Sequence, residues 1–242
     1  MDLLTVLLIG VVVLGTGVSK SAFAGALGVF AVPLLMLRLP ATEAIALMLP
    51  ILIIADALSV RSYWRRWNSQ LLYLLIPGGL AGVIAAHSVV SVVSTEQLKN
   101  VIALICIVFA LRSLLLSNSK IDLINNRFGA LLMSGLSGFS STLVHAGGPP
   151  LMIYLSSRGL APKAFVATAS AYFATMNLFK LAGFSLLGLL SLENIATAAL
   201  FIPLALFGNR LGVHVQQGLN VKVFMKAMNV LLLILGAWLL TH

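Results

Sequence analysis

Apolar runs follow one another along nearly the whole chain, at approximately 3–18, 21–37, 44–60, 69–93, 100–117, 128–144, 146–157, 164–190, 194–215 and 223–240. A helix needs about 20 apolar residues to cross the hydrocarbon core of a bilayer. Several runs reach that length, but 3–18 with 21–37 and 128–144 with 146–157 form two pairs of shorter pieces. Each pair surrounds a polar, Gly- and Ser-rich break. The first break is Gly15-Thr16-Gly17-Val18-Ser19-Lys20-Ser21, and the second runs from Ser140-Ser141-Thr142 through His145 to Gly147-Gly148-Pro149-Pro150. The pattern predicts an all-α polytopic membrane protein of about eight membrane segments, the broken ones being re-entrant hairpins.

The two halves repeat. Pro33-Leu34-Leu35 is matched by Pro150-Leu151-Met152, Pro40 by Pro162, and Pro77 with Gly82 by Pro203 with Gly208. Residues 1–117 are then a first repeat, 118–127 a polar connecting loop and 128–242 a second repeat, each repeat a hairpin followed by three spanning helices.

Charge decides between topologies. If each broken segment crosses once, the basic residues divide almost evenly between the two faces. If each returns to its own side, one face holds Arg61, Arg65, Arg66, Arg112, Lys120, Arg127, Arg158, Lys163, Arg210, Lys222 and Lys226 against one acid, Asp122. The other face then holds only Arg38 and Lys99, with Asp2, Glu43, Glu96 and Glu193. Cytoplasmic loops carry the excess of Lys and Arg. The bias predicts two re-entrant hairpins, six spanning helices, both termini outside and inverted repeats, an architecture that secondary transporters share.

Composition agrees. The 242 residues are 60% hydrophobic and 9% charged, where soluble chains carry about 25% charged residues, so a soluble fold is excluded. The net charge of +9 belongs to the topology signal and does not point to nucleic acid. Trp64 and Trp67 beside Arg61, Arg65 and Arg66 fit an interfacial belt. The start Met1-Asp2 lacks the basic, cleavable pattern of a secretory signal and reads as part of the first membrane segment. The one cysteine, Cys106, excludes an internal disulfide, and the histidines His87, His145, His214 and His242 lack metal-ligand spacing. No H-E-x-x-H, G-x-S-x-G or G-x-x-x-x-G-K motif occurs. The expectation is therefore a protein that is not an enzyme, has no catalytic residues and no metal, and needs no cofactor.

Irregular backbone at membrane depth is tolerated only where it is buried or lines a cavity, so the breaks are the first candidates for a binding site. Gly147 and Gly148 allow close approach, Ser19, Ser21, Ser140, Ser141 and Thr142 supply hydroxyls, and half-helix N-termini near Ser21 and Pro149 would aim N–H groups inward. Ionisable residues inside a membrane are costly and default to function. Three remain once the loops are assigned: Lys20, Asp56 and Lys180, with Asn177 on the helical face of Lys180. Two cations without an obligatory acid suit a small anionic substrate. Lys20 at an interface, Asp56 as a near-surface partner of Arg61, and Lys180 paired with Asp56 are the structural alternatives. Asp56 and His145 are candidates for proton coupling. The competing functions are a membrane-embedded enzyme or assembly factor acting on a lipid-soluble substrate, and a passive anion channel. The bilayer and the anion are the expected partners; oligomeric state is left open, a homodimer included.

Gly147-Gly148-Pro149-Pro150 with Tyr154-Leu155, then Arg158-Gly159-Leu160-Ala161-Pro162, Ala171-Tyr172-Phe173 and Asn177-Leu178-Phe179-Lys180-Leu181 resemble the second half of the sulfite exporter TauE/SafE family. Pro33-Leu34-Leu35 and Arg65-Arg66 resemble its first half more weakly. The resemblance runs from about residue 5 to 240. It implies a transporter of sulfur-containing anions such as sulfite, sulfonates or sulfoacetate in a bacterial-type cytoplasmic membrane.

Overall fold

The computed structural model describes residues 2–22, 26–115, 125–215 and 221–241, with some side chains near these boundaries left undescribed. The elements are α1 (Leu3–Ala22), a 3-10 turn (Ala26–Phe30) leading into α2 (Ala31–Leu35), α3 (Ala41–Ser62), α4 (Ser69–Val92) and α5 (Thr95–Leu115). They are followed by α6 (Arg127–Val144), α7 (Gly148–Ser157), α8 (Pro162–Leu186), α9 (Leu192–Val215) and α10 (Val221–Thr241). No strand occurs among the described residues. Most of the connecting loop expected at 118–127, with Lys120 and Asp122, lies outside them, as does His242.

Local chemistry sets the helix starts. Asn68 and Asn126 cap α4 and α6 by accepting from the N–H groups of Leu71 and Gly129 at 3.0 and 2.7 Å, which satisfies donors that a first turn leaves free. Pro40 precedes α3, and Pro162 opens α8, where its missing N–H costs nothing. Asp2 accepts from the Thr5 N–H at 3.1 Å. The hydrogen bonds from Thr5, and more weakly the Arg38 charge, hold its carboxyl below the usual value.

Among the described residues, five helices, α1, α3, α4, α5 and α9, are long and apolar enough to cross a membrane. The 25 residues of α8 reach about 37 Å at 1.5 Å per residue, but its inner face is polar. Of the five, α3 is the most enclosed. It packs against α1, α8 and α9, while α4 packs against α6 and α8, and α5 against α10.

The α1–α9 and α4–α6 pairings are built on glycine. A Cβ on Gly17 of α1 would stand 2.3 Å from the Ala205 oxygen of α9, and one on Gly208 of α9 would stand 2.4 Å from the Leu14 oxygen. Between α4 and α6, a Cβ on Gly82 would lie 2.0 Å from the Gly135 oxygen, and one on Gly138 2.1 Å from the Gly79 oxygen. Small residues let helix backbones touch in this way where lipid supplies no hydrophobic drive. Both pairs run parallel: Gly10 meets Phe201 and Leu204 while Gly212 meets Val18 and Ser21, and Gly78 meets Leu131 while Gly82 meets Phe139.

The breaks are displaced from their expected positions. α1 continues unbroken through Gly15–Ser21 to Ala22, because Gly17 and Ser21 are packing residues against α9. Ser21 therefore lies in the last turn of a helix and opens none. α6 likewise runs on through Ser140–Val144, and the second break is confined to His145–Gly147. The short partners do occur: five-residue α2 and ten-residue α7. The two ends of each pair lie side by side. Asp2 meets Arg38 at 3.4 Å across α1–α2, and Arg158 donates to Asn125 across α6–α7.

Candidate functional site

A buried polar cluster forms where α1, α3, α6, α8 and the His145 turn converge. Asp56, in the last third of α3, is 1% exposed. Lys20, from the last turn of α1, pairs with its Oδ1, and Asn177 of α8 donates its amide to Oδ2. The Lys20 ammonium also stands 5.2 Å from the centroid of the Phe173 ring, a cation–π distance. Lys20 is thus a buried partner of Asp56 and does not reach an interface, and Asp56 is not the near-surface partner of Arg61, which is exposed.

One helical turn further along α8 lies Lys180, wholly buried. Its Nζ finds three acceptors: the Ser141 carbonyl at 3.0 Å, the Ser141 Oγ at 3.1 Å and the His145 Nδ1 at 3.1 Å. Three acceptors match the three protons of an ammonium. The expected alternative in which Lys180 pairs with Asp56 gives way to this arrangement. His145 Nε2 lies 3.0 Å from the Ile45 oxygen. A carbonyl only accepts, so Nε2 carries the ring proton and Nδ1 offers its lone pair to Lys180. The backbone of His145 is left-handed, φ 53°, because it ends α6 with its N–H on the Ser141 oxygen and that of Ala146 on the Ser140 oxygen. This turn aims the imidazole into the cluster.

A cavity of about 20 Å³, room for about one water, lies at the centre. Its wall includes Ser19, Lys20, Ser141, His145, Gly148 and Asn177 from the expected set. Lys180 reaches it through Ser141 and His145. The other expected hydroxyls turn away. Ser21 donates to the Gly17 and Val18 carbonyls, Thr142 to Gly138 at 2.8 Å, and Ser140 to Leu136 and Ala146. Gly147 is a packing residue: its oxygen takes the Ser137 hydroxyl at 2.7 Å, and a Cβ there would press on Ser141 and Phe173. The start of α7 offers fewer donors than expected, since Pro149 and Pro150 carry no N–H and leave Gly148 alone in that turn.

Sequence reasoning missed Thr16, Gly28, Leu52 and Phe173, which complete the wall. Three of them carry a signal in their spacing. Thr16, Leu52 and Phe173 stand four residues before Lys20, Asp56 and Asn177, which puts each on the same helical face as its polar neighbour.

The helices, their length and their apolar character define a polytopic helical membrane protein. The model of the sulfite exporter TauE/SafE family matches residues 8–239, and the chain belongs to that family. This is a family of membrane transporters and not of enzymes. No curated protein and no solved structure matches the chain.

Proposed function

We propose that the chain carries a small sulfur-containing anion, of the sulfite, sulfonate or sulfoacetate type, across the cytoplasmic membrane by alternating access around the Lys20–Asp56–Asn177–Lys180 centre. The observation that carries this reading is the charge of the centre. Two buried lysines accompany one buried carboxylate, and Lys20, Asn177 and Ser141 line the cavity beside them. Ionisable groups at this depth are costly and mark function, and the excess of ammonium over carboxylate gives the centre a positive field that draws an anion. The small cavity supports alternating access, because an anion fits only when the helices part.

Inverted repeats are the architecture of this reading, and the helix directions support them. Asp2 beside Arg38 starts α1 and α3 on one face, so α3 ends and α4 begins on the other. The parallel α4–α6 pair then starts the second hairpin on that opposite face. The face with Arg61, Arg65, Arg66, Arg158 and Lys163 is cytoplasmic in this reading, and both termini lie outside. His145, with both ring nitrogens engaged, orients Lys180.

Thermal unfolding of the purified protein against sulfite, sulfate, thiosulfate, taurine, sulfoacetate, acetate and chloride tests the proposal. A ligand that binds only the folded state adds about 2.7 kcal/mol at a hundredfold excess over its Kd. The expected result is a selective rise in Tm with one sulfur anion, absent in Lys180→Ala. A Tm unmoved by every anion overturns the substrate class.

A further inference from the structure

We infer that Asp56 is a built-in stand-in for the transported anion, and that one proton enters the site with each anion to displace it. The inference rests on the proposed anion transport and adds its coupling ion. Lys20 and Asn177 are the donors that an anion in the cavity needs, and both are occupied by the two oxygens of the Asp56 carboxylate. While Asp56 is ionised, an arriving anion finds a like charge beside it and its donors taken. Protonating the carboxyl releases both. The carboxyl O–H then needs an acceptor in a buried place, and one is present: Asn177 Oδ1 is buried without a hydrogen-bond partner. The amide thus serves both states, its Nδ2 donating to the carboxylate and its Oδ1 accepting from the carboxyl.

The charge balance is simple. With the site empty, Lys20, Lys180 and the Asp56 carboxylate sum to one positive charge. After a proton joins Asp56 and a monoanion joins Lys20, the sum is unchanged, so loading never adds buried charge. A proton and a monoanion crossing together move no net charge, and the empty site returns with Lys20 and Asp56 paired.

The groups that face Asp56 are Lys20 from α1, Asn177 and Lys180 from α8, and His145 from the α6–α7 turn. α5 and α9 carry Glu96, Lys99, Arg112, Glu193 and Arg210 at half-buried or exposed positions. The His214 side chain on α9 is not described. His145 has its nitrogens committed to Lys180 and Ile45, and the Lys180 ammonium is committed to its three acceptors, whereas a proton on Asp56 meets an unpartnered acceptor in Asn177 Oδ1.

Sulfite binding to the protein in lipid nanodiscs tests this by calorimetry, with wild type and Asp56→Asn compared from pH 6 to pH 9. An apparent affinity falls by the fraction of protein able to bind. The wild type loses its binding-competent, protonated fraction about tenfold per pH unit, whereas Asp56→Asn loses none. The ratio of the two affinities, in which the titration of sulfite itself cancels, widens about tenfold per unit. Protons taken up per bound anion, counted in two buffers of different ionisation enthalpy, fall by one in the variant. Asp56→Ala removes the carboxylate by a second route and carries the same expectation if the Asn variant does not fold. A ratio constant with pH, or folded variants that bind no more tightly than wild type, overturns the inference. A wild type that binds no sulfite at any pH instead removes the transport reading beneath it.

Discussion

The smallest scale at which this protein explains itself is Lys180. A cation in an apolar run is visible in the sequence, and so is Asn177 three residues before it. The acceptors are not visible, because Ser141 and His145 lie 39 and 35 residues away in the chain. The same holds for Lys20, whose partner Asp56 is 36 residues distant. Composition marks a buried charge, but only the fold says what it faces. Removing the ammonium orphans the His145 Nδ1 and the Ser141 Oγ, at about 1–3 kcal/mol for each buried group left unsatisfied. Lys180→Met is therefore expected to lower Tm as well as abolish the anion response, whereas Lys180→Arg keeps a donor for Ser141 and loses less of both. Thermal unfolding with and without sulfite reads the two effects separately.

Helices here meet through their glycines, and this is where the sequence pattern misleads. Gly15-Thr16-Gly17 reads as a break because glycine weakens helices in water. In the bundle Gly17 is the residue that lets α1 touch α9, and the helix runs through it. The true second break, at His145, shows no glycine at its left-handed position. A pair of substitutions separates packing glycines from idle ones. Gly82→Val drives a side chain into the α6 backbone at Gly135 and is expected to cost at least the 1–3 kcal/mol or so of an overpacked core. Gly15 has nothing within 4 Å of its Cβ position, so Gly15→Ala is expected to be neutral or to stabilise α1 by about 0.5–1 kcal/mol. Thermal unfolding of the two variants side by side measures the difference.

Seen whole, the molecule was more legible than its parts. Hydropathy located the long helices, because a bilayer demands length and apolarity before anything else. The imbalance of Lys and Arg suggests hairpins, and the proposed hairpins need the contacts that Asp2 makes with Arg38 and Arg158 with Asn125. The position of the centre was less legible, since it depends on five elements meeting. Topology gives a direct test. In a Cys106→Ala background, single cysteines at Arg65 and Lys163 are expected to react with a membrane-impermeant maleimide only from the cytoplasm, and those at Arg38 and Glu193 only from outside. Labelling of Arg65 and Lys163 from opposite sides would overturn the opposed hairpins.

The tightness of the central cavity carries a last consequence. An anion in water travels inside a hydration shell, and a space fit for one water admits none of that shell. In the proposed transport an anion that enters as the helices part is stripped, and the groups that replace its lost waters are the Lys20 ammonium, the Asn177 amide and the hydroxyls of Ser19 and Ser141 at the cavity wall. Preference among anions of one size is then set by how much each loses on leaving water. In the proposed transport, turnover is then expected to be paced by that stripping more than by diffusion to the mouth.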